Sequence, residues 1–262
     1  MMKKIAVCGK GGSGKSAVVG LLAMGIRRKG KLVLVIDSDE SNTGLHRVLG
    51  FDASPDALID FMGGKRKVEE EIMDEIRSGV PEGSVQVFDQ ELSVAEIPAP
   101  YIRQKGGISL VVIGKILMAL EGCACPMGIV SRSFLRKLRL RANEIAIVDL
   151  EAGVEHFGRG VEANIDCVLV VVDPSLDSLE VAGRIQFLST QMAIGDVWAI
   201  LNKIPSEKLA TRLTAELNQR GVSVIGSIAN DPEIFESCLE GRPLLAGLAQ
   251  RYIDKIIDFL LP

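Results

Sequence analysis

The residues best suited to chemistry lie in a glycine-rich stretch near the start of the chain. The phosphate-binding pattern G-x-x-x-x-G-K-[ST] is supplied by Gly9, Lys10, Gly11, Gly12, Ser13, Gly14, Lys15 and Ser16. Glycine lets backbone N–H groups approach phosphate oxygens closely, because a side chain would block that approach. The Lys15 ammonium can reach the β- and γ-phosphates, and the Ser16 hydroxyl can bind Mg²⁺. The pattern therefore predicts a site for a nucleoside triphosphate with magnesium.

Two elements must position this loop. The apolar run at 5–8 predicts a buried strand before it, and an apolar helix pattern begins at Ala17 after it. A helix that starts near Lys15 directs its free N–H groups and the positive end of its dipole at the same anion. This strand–loop–helix context favours a phosphate loop over an ordinary glycine-rich turn.

Carboxylates follow two further apolar runs. The run at 31–36 ends in Asp37-Ser38-Asp39-Glu40-Ser41-Asn42, and the run at 145–148 ends at Asp149. Open α/β sheets bind ligands at the carboxyl ends of their strands, although a turn rich in Asp and Ser is the alternative at 37–42. Asp149 fits a Walker B pattern, in which the carboxylate lies near magnesium through water. Gly153 can present its backbone N–H to the γ-phosphate, so hydrolysis could release this segment.

A second kind of chemistry is indicated by Cys123 and Cys125, which are separated by one residue. In an extended segment both sulfurs would lie on the same side. Paired thiolates suit zinc, nickel or copper(I), but a closed tetrahedral site needs four ligands. A second chain related by two-fold symmetry could supply the other two. Two incidental cysteines in a turn are the alternative.

The remaining patterns predict the architecture. Apolar runs at 108–113, 166–172 and 198–201 alternate with helical patterns. This alternation predicts an α/β fold with a doubly wound, mainly parallel sheet and helices on both faces. We expect one P-loop ATPase domain over residues 1–262, with a helical and hairpin insertion at about 52–107 and a Cys-x-Cys loop at 121–128.

Three local predictions accompany this architecture. The alternation of apolar and polar residues at 84–97 predicts a β-hairpin. The run at 129–142 carries five basic residues and no acid, which favours an amphipathic helix with a solvated face, with docking of an acidic partner next to the cysteines as the alternative. The last helix, predicted at 245–261, has balanced charge and so favours core packing over membrane binding.

Composition argues against several classes of protein. With 30 Lys+Arg against 34 Asp+Glu, the net charge of −4 disfavours generic binding to nucleic acid or to an anionic membrane. No apolar run reaches the roughly 18 residues that span a bilayer. The first residues lead at once into a strand, which is unlike a signal peptide. Five scattered cysteines suit a reducing compartment, so we expect a cytoplasmic protein.

The glycine-rich loop also places Lys10 directly after the first glycine. The resulting Lys-Gly-Gly-Ser-Gly-Lys-Ser sequence resembles the deviant Walker A family that includes MinD, ParA, the nitrogenase iron protein and ArsA. The resemblance implies that Lys10 crosses a dimer interface to the partner's nucleotide and that Asp39 organises the attacking water. It also implies that Asn202 reads the adenine edge. That family often has proline at the position of Glu40.

Two stretches narrow the resemblance. The sequence Gly-Cys-Ala-Cys-Pro at 122–126 and the sequence Asp-Leu-Glu-Ala-Gly-Val-Glu-His-Phe-Gly-Arg-Gly at 149–160 resemble CooC-type ATPases. That resemblance implies a slow, switch-like ATPase that forms a homodimer with ATP and with metal. Its Cys-x-Cys pair would hold nickel or zinc, and its target would be carbon monoxide dehydrogenase, which receives nickel.

Two other functions remain open from the sequence. An electron-transfer ATPase like the nitrogenase iron protein would share an iron–sulfur cluster between two chains, but the stretch 149–163 contains no cysteine for it. A positioning ATPase like ParA or MinD would carry a basic surface or a basic amphipathic tail. Neither is evident in this sequence, and such a protein would give Cys123 and Cys125 no role.

Overall fold

The structure is a computed structural model that describes residues 2–81, 84–118 and 125–261. The strands are β1 Lys4–Gly9, β2 Leu32–Ser38, β3 Leu92–Ser93, β4 Arg103–Lys105, β5 Ile108–Val112, β6 Leu138–Arg139, β7 Glu144–Leu150, β8 Cys167–Val172, β9 Asp196–Ile204 and β10 Ser223–Ala229. The helices are α1 Lys15–Arg28, α2 Leu45–Val48, α3 Leu58–Phe61, α4 Lys65–Arg77, α5 Cys125–Lys137, α6 Glu155–Gly158, α7 Leu176–Gln191, α8 Glu207–Gln219, α9 Pro232–Glu240, α10 Ala246–Tyr252 and α11 Asp254–Leu260.

The central sheet has the strand order β10-β9-β8-β1-β7-β2-β5-β4. Its neighbouring strands are parallel except for β4, which pairs antiparallel with β5. The predicted doubly wound, mainly parallel sheet is confirmed. Strand β7 lies between β1 and β2, and its Asp149 is in register with Val7 on one side and Asp37 on the other. The sheet order therefore brings both carboxylates to the edge where the glycine-rich loop begins.

The sheet is covered on both faces, which explains why its strands are continuous apolar runs. Successive residues of β1 alternate between two buried clusters, with Ala6 and Cys8 on one face and Ile5 and Val7 on the other. The first cluster includes apolar residues of α5 and α7, and the second includes those of α1 and α11. This double cover fixes the position of α1, and thus of the loop at its start.

The predicted hairpin at 84–97 is wrong. Strand β3 pairs parallel with β6, and it runs directly into a 3₁₀ helix at Val94–Glu96. Ser93 and Glu96 form a capping box that starts this helix, so the chain turns away from an extended path. The antiparallel pair is formed instead by β4 and β5, whose turn is made by Gly106 and Gly107.

The basic helix predicted at 129–142 is also different. Helix α5 begins at Cys125 and ends at Lys137, and its residues 126–135 are all buried. Arg132 can be buried because its guanidinium donates to the backbone carbonyls of Arg159, at 2.7 Å, and Val85, at 3.3 Å. The expected solvated face is therefore wrong at Arg132, whereas Arg136, Arg139 and Arg141 are exposed as predicted, the last two beyond the end of the helix. The extended conformation expected around the Cys pair is wrong at Cys125, which starts the helix, and Cys123 lies outside the described residues.

The predicted last helix is divided at Ile253 into α10 and α11. Ile256, Ile257 and Leu260 of α11 are buried against the sheet-covering cluster that contains α1. Core packing of this segment is therefore confirmed. Across the ranges that the structure describes, none of the helices combines the length and the apolar character needed to cross a bilayer.

Candidate functional site

The glycine-rich loop connects β1 to α1, and its backbone requires glycine at two close approaches. Gly9 has φ of +141°, and a Cβ atom there would lie 2.4 Å from the carbonyl oxygen of Val171. Gly14 has φ of +94°, and a Cβ atom there would lie 2.3 Å from the Asn202 side-chain nitrogen. Any larger residue would push the loop away from β8 and β9. These two positions explain the spacing of the motif in physical terms.

Two polar side chains of β9 donate hydrogen bonds to backbone carbonyls of the glycine-rich loop. The Asn202 amide donates to the carbonyl of Ser13 at 2.8 Å, and the Lys203 ammonium donates to the carbonyl of Gly12 at 2.7 Å. Lys203 adopts φ of +58°, an uncommon conformation for a residue with a side chain. These two hydrogen bonds fix the backbone of the loop, whose Ser13 N–H also donates to the Lys10 carbonyl at 3.2 Å, in a conformation of the kind that binds anions. The predicted role of Asn202 at the adenine edge stays a prediction, and sequence reasoning missed Lys203, whose only signal is its place beside Asn202 at a strand end.

The predicted magnesium residues meet at the start of α1. The Ser16 hydroxyl donates to Asp149 Oδ2 at 2.8 Å, and the Asn42 amide donates to Ser16 Oγ at 2.7 Å. Within the described part of the chain, the second Asp149 oxygen, Oδ1, is buried and has no hydrogen-bond partner. A buried carboxylate oxygen without a partner is costly. Clustered hard oxygen atoms are the ligands that Mg²⁺ prefers, so these residues fit the ion.

The electrostatics of the two strand-end acids support the same fit. Burial raises the pKa of Asp149 to about 7, and the nearby Asp37 carboxylate adds to this rise. Burial also raises the pKa of Asp37 to about 6, against the opposing charge of Lys115. A divalent cation beside these groups would favour their ionised forms. Asp149 and Asp37 would therefore be stabilised as carboxylates by a cation that binds here together with a nucleotide.

Asp39, which is predicted to organise the attacking water, is held by the turn that follows it. Its Oδ1 accepts hydrogen bonds from the Ser41 N–H at 2.9 Å, the Ser41 hydroxyl at 2.6 Å and the Asn42 N–H at 3.2 Å. Lys115 also stabilises this turn. Its ammonium contacts Asp37 Oδ2 at 2.7 Å and donates to the Asp39 carbonyl at 2.5 Å. Sequence reasoning missed Lys115. Its signal was a basic residue just beyond β5, the strand that neighbours β2.

Gly153 contacts the glycine-rich loop through its backbone. Its N–H donates to the Gly9 carbonyl at 3.2 Å, and its φ is +90°, so the predicted contact of this N–H with a γ-phosphate stays a prediction. The neighbouring Ala152 lies against Gly11, where an added Cβ would be 3.6 Å from the Ala152 methyl group. His156 is buried beside Phe157, with Nε2 3.2 Å from the Gly153 carbonyl. The segment after β7 therefore lies directly on the loop that would hold the phosphates.

Lys10 points toward the end of β8 in its own chain. Its ammonium lies 3.4 Å from the Ser175 hydroxyl and 3.9 Å from the Asp173 carboxylate. Both partners are partly exposed, and such a long ion pair contributes little stability. The predicted role of Lys10 across a dimer interface stays a prediction, and these weak contacts leave the side chain able to move.

Two cavities flank the loop. One of about 740 Å³ is bordered by Gly14 and Asn202 on one side and by Phe235 and Leu239 of α9 on the other. The second, of about 350 Å³, is bordered by Lys15, Ser16, Asp39 and Asn42 among others. Sizes of this order are typical of ligand sites, and the apolar and polar walls suit a base and phosphates respectively.

The thiols are divided between core and surface. Cys8 and Cys167 are buried on β1 and β8, whereas Cys125 and Cys238 are exposed on helices. Within residues 2–81, 84–118 and 125–261, no group of three or more His, Cys, Asp or Glu side chains is arranged to hold a metal ion. Cys123 lies outside those ranges, so the predicted Cys pair stays a prediction.

Comparisons with known proteins agree with this geometry. The sequence profile described as CbiA, the CobQ/CobB/MinD/ParA nucleotide binding domain, matches residues 4–244. An uncharacterized ATP-binding protein of Methanocaldococcus jannaschii is 40% identical over 257 residues, which cover 98% of this chain and 99% of that protein. The carbon monoxide dehydrogenase accessory protein CooC of Rhodospirillum rubrum is 34% identical over 204 residues, which cover 78% of this chain and 75% of that protein.

Among solved structures, the septum site-determining protein MinD complexed with Mg-ADP, from Pyrococcus horikoshii, is similar with a TM-score of 0.66. It is 18% identical, and the match covers 99% of this chain and 98% of that one, so this likeness shows the fold alone. The family profile covers nearly the whole sheet, and the described loop, Ser16–Asp149 pair and strand order are those of a nucleotide site. This chain belongs to the CobQ/CobB/MinD/ParA family of nucleotide-binding domains.

Proposed function

We propose that this chain is an ATP-hydrolysing, homodimeric maturation factor that delivers nickel to carbon monoxide dehydrogenase. The observation that carries the proposal is the position of Cys125, which is the first residue of α5. Arg132 of the same helix donates a hydrogen bond to the carbonyl of Arg159, so α5 contacts the segment that follows β7. The accessory protein CooC, which is 34% identical, is named for carbon monoxide dehydrogenase, and that name supports the choice of target.

The residues at the sheet edge support the proposed ATP hydrolysis. Magnesium, when bound, would neutralise charge on the phosphates. Lys15 is buried at the start of α1, where its ammonium can bind the terminal phosphates. Asp39 is held rigidly by Ser41 and Asn42, which suits a group that orients an attacking water. Lys10 would cross from the partner chain, so dimer formation would complete the site.

Two segments would respond to the nucleotide. We name residues 39–44 the first switch and residues 149–156 the second switch. The first contains Asp39, and the second contains Gly153, whose N–H would exchange its present hydrogen bond to the Gly9 carbonyl for one to the γ-phosphate. Loss of the γ-phosphate would remove a contact from both switches at once. ATP binding would therefore favour one arrangement of the two switches, and ATP hydrolysis would favour another.

The cargo site would be built from Cys123 and Cys125 of both chains. Four thiolates around a two-fold axis would satisfy a tetrahedral ion, and thiolate ligands prefer nickel or zinc to magnesium. A free thiol has a pKa of roughly 8.5, so binding must displace protons at neutral pH. Metal affinity should therefore fall as the pH falls.

Equilibrium dialysis with nickel and with zinc tests the proposal. We expect one metal ion per dimer in the wild type, and loss of stoichiometric binding in both Cys123→Ala and Cys125→Ala. Cys238→Ala is the matched control, because Cys238 is also an exposed thiol on a helix but lies beside the larger cavity. Full binding by the first two variants would contradict the cargo site and leave a nucleotide switch without a metal role.

A further inference from the structure

Glu40 of the first switch lies directly after Asp39, the proposed water-orienting residue, at a position where the deviant Walker A proteins that the loop resembles often have proline. The two described residues that border the Cys123 segment are Met118 before it and Cys125 after it. Glu40 contacts the chain before that segment through its backbone, and its side chain contacts Arg159, which in turn packs on the helix after the segment. These two contacts suggest how the state of the switch could reach the cysteines.

The upstream contact is made by backbone. The Ile116 N–H donates to the Glu40 carbonyl at 3.1 Å, and the Ile113 N–H donates to the Asp37 carbonyl at 2.9 Å. The Lys115 ammonium donates to the Asp39 carbonyl between them at 2.5 Å. Residues 113–116 therefore run alongside the end of β2 and the start of the first switch, and two of these three contacts, at Asp39 and Glu40, are made to the switch itself. A shift of the first switch would therefore move residues 113–116 with it.

The downstream contact is made through Arg159. Its Nη1 lies 3.4 Å from Glu40 Oε1 and 2.5 Å from Glu151 Oε1, so one guanidinium joins the two switches. The same side chain packs on α5, where a Cβ atom added at Gly128 would lie 2.5 Å from Arg159 Cδ. Arg132 of α5 also donates to the Arg159 carbonyl at 2.7 Å. Arg159 is therefore attached to the helix that begins at Cys125.

Burial and charge make this cluster sensitive to its geometry. The side chains of Glu40, Glu151 and Arg159 are 11%, 13% and 23% exposed. Burial and the neighbouring Glu40 carboxylate raise the pKa of Glu151 to about 8. In such a partly desolvated cluster, removing one member leaves the others without compensation. The cluster therefore favours one arrangement of the two switches.

We propose that Glu40 is a positioning residue that transmits the state of the first switch to both sides of the cysteine segment. Its carbonyl acts on Ile116 and its carboxylate acts on Arg159. A proline at this position, as the related deviant Walker A proteins often have, could offer the carbonyl but no carboxylate. The inference rests on the proposed function, because it requires the nucleotide to move the switch next to Asp39.

Thiol labelling reads this coupling directly. Trypsin cleavage after Lys115 and Arg132 yields a peptide of residues 116–132 that contains both Cys123 and Cys125, so mass spectrometry can measure its maleimide labelling rate. We expect a non-hydrolysable ATP analogue with magnesium to change that rate by about fivefold or more in the wild type, relative to ADP. In Glu40→Gln, which keeps the backbone and the side-chain size, the change should fall below about twofold.

Two further variants keep the test decisive. Arg159→Gln should lose the response in the same way, because it removes the cation that joins both switches to α5. Glu216→Gln is the matched control, since it breaks a similar half-buried pair with Arg220, at 2.8 Å on α8, away from the cysteines. Thermal unfolding and binding of a fluorescent ATP analogue check that each variant is folded and still binds nucleotide.

The outcomes separate this inference from the proposed function. A full response in Glu40→Gln, or no response in the wild type, would overturn the role of Glu40. Equilibrium dialysis of the same samples with nickel, in the absence of nucleotide, measures metal binding at the cargo site independently. Wild type that fails to bind nickel would refute the proposed function, while the labelling ratio would still decide whether Glu40 transmits the nucleotide state.

Discussion

Replacing Asp149 with Asn is expected to stabilise the nucleotide-free protein, because the fold buries this carboxylate completely. Burial, reinforced by Asp37, raises the pKa of Asp149 from 3.8 to about 7. Between about pH 4 and about pH 7 the folded state therefore binds more protons than the unfolded state, so the free energy of unfolding falls as the pH rises. At about 1.4 kcal/mol for each pH unit, the loss reaches about 4 kcal/mol above pH 7.

The Asn side chain avoids this loss at every pH, because it stays uncharged and can still accept the Ser16 hydroxyl hydrogen bond. The variant should exceed the wild type in unfolding free energy by about 4 kcal/mol at pH 8 but by only about 2 kcal/mol at pH 5.5. Urea unfolding at the two pH values, with EDTA and without nucleotide, measures both differences. Magnesium and ATP should stabilise the variant less than the wild type.

Asp177→Asn provides the control, because Asp177 is an exposed carboxylate in the first turn of α7. It should give no gain in stability at either pH, and it should lose a few tenths of a kcal/mol, about 0.3 or more, of helix-dipole interaction. Equal stability of wild type and Asp149→Asn at pH 8 would refute the reasoning. So would a gain that is the same at both pH values, since the cause would then not be ionisation of Asp149.

Three further variants test the nucleotide site. Lys15→Ala should weaken binding of a fluorescent ATP analogue by about tenfold or more, because charged hydrogen bonds to phosphate are lost, and unchanged affinity would contradict this. Asp39→Ala should bind ATP but release phosphate slowly, whereas undiminished turnover would exclude Asp39 as the residue that orients water. Lys10→Ala should bind ATP but fail to dimerise with a non-hydrolysable analogue in light scattering, and a normal dimer would rule out its action in trans.

The fold and the phosphate loop were predictable because their signals are local. Each central strand is a continuous apolar run, and the loop motif fixes both the elements beside it and the glycines that its close approaches require. Helix α5 shows the limit of such reasoning. Its basic residues resemble a solvated face, yet Arg132 is buried because two backbone carbonyls, distant in sequence, accept its hydrogen bonds.

The rest of the site depends on contacts that the sheet order creates. Strands β7, β2 and β5 are neighbours in space but far apart in the chain, so the meeting of Asp149, Asp37 and Lys115 follows from topology. Glu40 and Arg159 likewise lie 119 positions apart. No local pattern marks such pairs. The sequence indicated only that charged residues follow strand ends, where ligands of open sheets bind.

Transfer of nickel into carbon monoxide dehydrogenase tests the central claim most directly. Nickel-free enzyme is incubated with the nickel-loaded protein and magnesium ATP, and the metal content and activity of the re-isolated enzyme are measured. We predict nickel incorporation that requires ATP, is slower with a non-hydrolysable analogue and is lost with Cys125→Ala. Incorporation at the same rate from free nickel alone, or from the Cys125→Ala variant, would contradict the account.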